Sequence, residues 1–162
     1  MSALFHSYLC GRIAAEWLIK MKEEVKARLE LLHRVAPDSI GDQLRLEVLD
    51  CEGDTYLLRG KTQAWMRNAH GVLHGGMGAT MADQAMGAVA YCYKAGEGIA
   101  PTIEMHVNYH RPLIPGEDVL IRVKVISATR TLIHTVSELY RDSVPEKVCI
   151  TASATYFYKP TT

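Results

Sequence analysis

The order of elements in this chain predicts an α+β fold, in which a curved antiparallel sheet wraps around one long central helix and a further helix precedes the first strand. Three observations carry it. From Gly76 to Tyr93 the chain has no proline, and Met77, Met81, Ala85, Ala88 and Cys92 recur at helical spacing. The same stretch is rich in small residues (Gly76, Gly78, Ala79, Ala82, Ala85, Gly87, Ala88 and Ala90), so the helix is thin. Each interior glycine costs a helix roughly 0.5 to 1 kcal/mol relative to alanine, a cost expected where other backbone wraps it closely. Around it lie six segments that read as strands, separated by turn residues, the pattern of an antiparallel sheet built from hairpins.

Taken in order, Ala14 to Val35 places Leu18, Met21, Val25, Leu29, Leu32 and Val35 among charged neighbours, which predicts an amphipathic helix stopped by Pro37. Leu44 to Leu49 and Thr55 to Thr62 read as a hairpin around Asp50 to Asp54, and Lys94 to Gly98 as the turn after the central helix. The next segment alternates Ile103, Met105, Val107 and Tyr109 with Glu104, His106, Asn108 and His110, which predicts a strand with the first set buried. Pro112, Pro115 and Gly116 end it. Val119, Ile121, Val123 and Val125 then alternate in a further strand, and Arg130 to Tyr140 and Val148 to Tyr158 continue the pattern across a turn at Asp142 to Pro145. The chain divides into a helical extension over 1–36 and one domain over 37–162, a length that suits a single core.

Charge and cysteine usage narrow the partners. Lys plus Arg balance Asp plus Glu at 18 each, so no net field recruits nucleic acid or an anionic membrane. The four cysteines form no CxxC pair and the chain opens without a basic, then apolar, leader, which points to a reduced, cytoplasmic protein. His70 with His74, and His106 with His110, are each four apart. Four residues of strand span about 13 Å, too far for one ion, and the first pair sits in a loop with no obvious third ligand, so no metal is expected.

The chemistry concentrates between Asn68 and Tyr93. Asp83 is the one side chain charged at neutral pH within the apolar helix, where an acid is seldom buried without a partner. Gly75 stands at the helix entrance, where the first amides lack intrahelical acceptors and the dipole favours negative charge. An oxyanion held there and an acid two turns on would together suit attack on a carbonyl.

Asn68, Gly71, His74, Gly75, Gly76 and Asp83, with Thr80-Met81-Ala82-Asp83-Gln84-Ala85 around the acid, resemble the motif of the hotdog-fold acyl-CoA thioesterases of the phenylacetate-degradation type. Thr102 to Tyr109, Arg111-Pro112 and Gly116-Glu117 look like that family's third strand and following turn. The resemblance covers about residues 40 to 160. It implies hydrolysis of an acyl-CoA or acyl-carrier-protein thioester without metal or cofactor, the Gly75 amide polarising the carbonyl and Asp83 acting as general base or nucleophile. Asn68 and His74 would orient groups around them, and Thr102 matches a water-positioning hydroxyl. Gly76, Arg130 and Arg111 would contact substrate, the arginines through coenzyme A phosphates. Met77, Met81 and Met86 are candidates to line the acyl pocket. Two such sheets usually join edge to edge, so a homodimer or homotetramer with sites between subunits is expected. The alternative is a hotdog module that binds or senses acyl-CoA without cleaving it; residues 1–36 show no clear basic recognition helix for a DNA-binding regulator.

Overall fold

The computed structural model describes residues 19–31, 33–94 and 99–159. The first helix, α1, occupies 19–31 and 33–35; its expected beginning at 14–18, and residues 95–98 of the expected turn, lie outside the described residues. Met21, Val25 and Leu29 form its buried stripe and join the same core as the sheet. Lys22 Nζ donates to Leu49 O at 2.7 Å, tying α1 to the hairpin that follows. Among the described residues no helix is long and apolar enough to cross a membrane.

A short helix that periodicity did not reveal, α2 (Ile40–Gln43), comes next. Four residues are too few to show a period, but Ser39 followed three residues later by an acid is a capping signature, and the Asp42 N–H does donate to Ser39 Oγ at 3.2 Å. The strands β1 (Glu47–Glu52) and β2 (Thr55–Lys61) form the expected hairpin, with Gly53 at φ 56° in a turn tighter than the sequence suggested. Then come α3 (Gly75–Tyr93), β3 (Thr102–Tyr109), β4 (Asp118–Ala128), β5 (Leu132–Arg141) and β6 (Val144–Phe157). All pairings are antiparallel, in the order β1-β2-β4-β5-β6-β3.

The sheet curls around α3, which packs against β2 to β6, so the expected hotdog arrangement is present. Tyr56 and Leu58 of β2, Val119 to Val125 of β4, Ile133 and Leu139 of β5 and Ile150 to Tyr156 of β6 supply the inner face, alternating with outward residues. Thinness of α3 is a packing requirement. A Cβ added at Gly78 would stand 2.5 Å from Ile150 Cδ1, and one at Gly87 3.3 Å from Tyr156 Cε1, so β6 lies almost on the helix backbone. Met81 and Met86 are fully buried among these residues, so they are core and not pocket wall.

Two expectations about strands change. On β3 the apolar set is not uniformly buried: Met105 and Val107 are half-buried, but Ile103 and Tyr109 are 56% and 55% exposed. The reason is position, since β3 is an edge strand and its far side has no strand neighbour among the described residues. The last strand begins at Val144, earlier than expected, because Pro145 is accommodated in a bulge: Arg141 pairs with Val144 and Tyr140 with Val148, leaving 145–147 out of the ladder.

Candidate active site

The loop before α3 aims the chain into the helix. Arg67 and Leu73 form an isolated antiparallel bridge, the Asn68 N–H donates to Val72 O at 2.8 Å, and Gly71 takes φ 82°, which only glycine adopts freely. Asn68 Oδ1 accepts the His70 N–H at 2.8 Å, so part of the asparagine side chain holds the loop itself. His74 is the N-cap of α3: its Nδ1 accepts the Gly76 N–H at 3.0 Å. That bond occupies Gly76, leaving the Gly75 N–H as the donor at this helix end without an acceptor among the described residues. Tyr109 closes the other side, its hydroxyl donating to Gly75 O at 2.9 Å.

Asn68, His74, Gly75, Tyr109 and Arg111 line one cleft of about 340 Å³. Beside it a smaller basic recess joins Arg111 to Lys147 and Arg141. Arg141 is committed to Glu117 at 2.8 Å, and Arg111 donates one N–H to Val148 O, so Lys147 and the rest of the Arg111 guanidinium supply the available positive charge. Arg130 is elsewhere, exposed in the β4–β5 turn near Tyr158, whose N–H donates to Thr131 O at 2.8 Å.

Asp83 lies in a second cleft of about 200 Å³, with Thr102 and Tyr156. It is half-buried. Thr102 Oγ1 donates to Asp83 Oδ1 at 2.8 Å, and Tyr156 OH lies 3.1 Å from both that oxygen and Asp83 O. Oδ2 has no hydrogen-bond partner among the described residues. Burial first, and then the Asp83 charge, push the Tyr156 phenol far above its ordinary range, so it stays a neutral donor. Tyr156 is the residue the sequence did not single out. Its signal was faint: a tyrosine on the inner face of the last strand needs a partner for its hydroxyl, but the partner is 73 positions away.

The structure therefore brings together Asn68, His74, Gly75 and Arg111 at one end of α3, and Asp83 with Thr102 further along it. Gly75 and Asp83 are separated by about 12 Å of helix rise, and no single carbonyl reaches both within one chain.

Comparison with known proteins agrees with this architecture. The PaaI protein of E. coli, from a phenylacetic acid degradation operon, superposes with a TM-score of 0.72 at 14% identity, covering 88% of this chain and 98% of its own. Zebra fish thioesterase superfamily member 2 gives 0.68 at 23% identity with the same coverage. Likeness at these identities establishes the shared fold. Acyl-coenzyme A thioesterase 13 of Homo sapiens and of Pongo abelii are each 35% identical over 74 residues, 44% of this chain and 51% of the relative, so the chain spans about half the length of these relatives. A family model described as the thioesterase superfamily matches residues 70–156, which contain Gly75, Asp83, Thr102, Arg111 and Tyr156. That match spans more than half of the 162 residues, and with it the chain belongs to the thioesterase superfamily.

Proposed function

We propose that the protein hydrolyses acyl-CoA thioesters to free acid and thiol. The observation that carries this reading is the state of Asp83: one oxygen is held by two hydroxyl donors, and the other is unbonded beside a cleft. A carboxylate so held can take a proton from water or attack a carbonyl itself. In the first route Oδ2 removes a proton from water as the water oxygen bonds to the thioester carbon. The carbonyl oxygen gains the electron pair, facing the Gly75 N–H. Collapse breaks the C–S bond and the thiolate leaves. In the second route Oδ2 forms an anhydride with the acyl group, expelling thiolate, and water then cleaves the anhydride. Label found in the Asp83 carboxylate after one turnover in ¹⁸O-labelled water identifies the second route, with water attacking the anhydride at the Asp83 carbon.

The two half-sites meet if two copies pair along β3. This strand runs from Thr102, bonded to Asp83, to Tyr109, bonded to Gly75, and its outer edge pairs with no strand among the described residues. Antiparallel pairing with a second copy sets the Tyr109 end of one beside the Thr102 end of the other, and so the Gly75 amide of one near the Asp83 cleft of the other. The exposed Ile103 and Tyr109 give that contact apolar material. A dimer is thus the smallest active unit in this reading, with a tetramer as a pair of dimers. Arg111 and Lys147, beside the Gly75 cleft, suit coenzyme A phosphates better than does Arg130, and favour a CoA substrate over a carrier protein. A reducing compartment such as the cytoplasm fits the free thiols of Cys51, Cys92 and Cys149.

The test is thiol release across a panel of acyl-CoAs, with wild type and Asp83→Asn side by side. Hydrolysis by the wild type that falls at least a hundredfold in the variant, with acyl-CoA binding retained, supports the reading. Binding without thiol release from any member overturns it in favour of a sensing module.

A further inference from the structure

The Asp83 cleft has a wall that the catalytic reading leaves unused. Arg28, on α1, places its guanidinium 4.1 Å from the centre of the Tyr91 ring, and both residues line the cleft with Asp83. Arg28 is half-buried, and among the described residues it makes no ion pair or hydrogen bond. A guanidinium carries five N–H donors in a planar fork, and stacking on a ring fixes its plane while leaving those donors free. The scaffold behind it is firm: Val25 and Leu29, its neighbours on α1, are buried in the core, and His33 Nδ1 lies 3.1 Å from Asp42 Oδ1 of α2.

The route from Asp83 to Arg28 is open. Tyr91 stands two helical turns beyond Asp83, about 12 Å along the axis. Between them Gly87 and Ala88 present little side chain to the cleft, and Gln84 adds a polar edge. An acyl chain whose carbonyl sits at Asp83 can run over Gly87 and Ala88 and end under Arg28. That span is shorter than the pantetheine arm separating a thioester sulfur from the phosphates of coenzyme A, so an anion reaching Arg28 from the reacting carbon belongs to the acyl group. A wholly aliphatic tail would instead end against an unpaired cation.

We infer that Arg28 is a specificity residue, and that the Asp83 cleft takes acyl groups carrying a second, distal carboxylate. This rests on the reading of Asp83 as the reacting end. The guanidinium and the distal carboxylate form a charge-assisted, bidentate pair, with the Tyr91 ring fixing its direction. It also assigns a role to the helix preceding the first strand, which completes the acyl pocket.

The experiment compares dicarboxylic acyl-CoAs, succinyl to suberoyl, with monocarboxylic acyl-CoAs of the same chain length, reading kcat/KM for each pair. Wild type is expected to favour the dicarboxylic member at one chain length. In Arg28→Met that preference ratio falls by about 10- to 100-fold, and Arg28→Lys keeps part of it. A wild type that favours the monocarboxylic member at every length overturns the inference without recourse to any variant. So does an unchanged ratio in Arg28→Met, including the case in which both members slow equally because Arg28 touches the coenzyme A moiety. If no thioester is cleaved, the hydrolytic reading fails and calorimetric binding of the same pairs decides this one: an Arg28-dependent preference for the dicarboxylic member upholds it, and equal affinity overturns it.

Discussion

Glu117 receives two N–H groups of Arg141 at 2.8 Å, one on each oxygen, with the Ser143 hydroxyl at 2.9 Å, whereas Asp83 meets only hydroxyl donors, both on Oδ1. The Arg141 hydrogen bonds, then that of Ser143, hold the Glu117 carboxyl below its ordinary range. Glu117 closes the turn between β3 and β4, and both of its oxygens are bonded. Asp83 is fixed as firmly in direction, by elements from two strands, yet keeps one oxygen open. A carboxylate that holds the chain together is paired with a cation through both oxygens; one placed for reaction is oriented by neutral donors and keeps one oxygen unbonded.

The largest effect is expected at Asp83. In Asp83→Asn the amide still accepts from Thr102 and Tyr156, so the melting temperature should stay near that of the wild type while thiol release falls about 10²- to 10⁴-fold. Near-normal turnover with a lowered melting temperature would put Asp83 in the same class as Glu117. Tyr156→Phe removes one of the two donors; steady-state rates should fall about tenfold, the kinetic equivalent of one hydrogen bond, with about 0.5 to 1.5 kcal/mol of stability lost in denaturant titration. His74→Ala deletes the α3 cap and should cost about 0.5 to 2 kcal/mol, with His74→Asn restoring most of it. The smallest effect is a change of slope. Because the folded Glu117 carboxyl titrates lower than in the unfolded chain, its contribution is complete above about pH 4.3 and is lost as pH falls further. Melting temperature followed on acidification should therefore fall less steeply in Glu117→Gln than in the wild type.

Much of this was legible locally. The glycines and alanines marked α3 to within one residue of its start, and β4 alternates as its sequence does, because both elements are enclosed by their own chain. What was not legible depends on distant or missing neighbours. Ile103 and Tyr109 have the spacing of a buried face but stand at an open edge, so their burial is decided by whatever pairs with β3. That His74 caps α3, its Nδ1 accepting the Gly76 N–H, depends on how the loop before it turns into the helix. Arg28 read as one charge on an amphipathic helix until the fold set it over Tyr91, and Tyr156 met Asp83 only through the closing of β6 on α3.

In the proposed dimer the Gly75 amide of one copy works with Asp83 of another, and refolding two inactive variants together measures that pairing. Gly75→Pro removes the free N–H at the first helical position, where proline is tolerated, and His74 at φ −60° and ψ 131° already has the backbone that precedes a proline. The added ring meets Tyr109, whose Cε1 would lie 3.3 Å from a Cβ, so the Tyr109 side chain must shift by a few tenths of an ångström. Alone, this variant should lose about 10²- to 10³-fold in rate, as loss of an oxyanion donor does. Unfolded and refolded together with Asp83→Asn, it should recover up to about a quarter of wild-type thiol release, because each mixed dimer regains one intact site. Mixed dimers detected by native mass spectrometry with no recovery of activity would show that Gly75 and Asp83 do not act across the dimer.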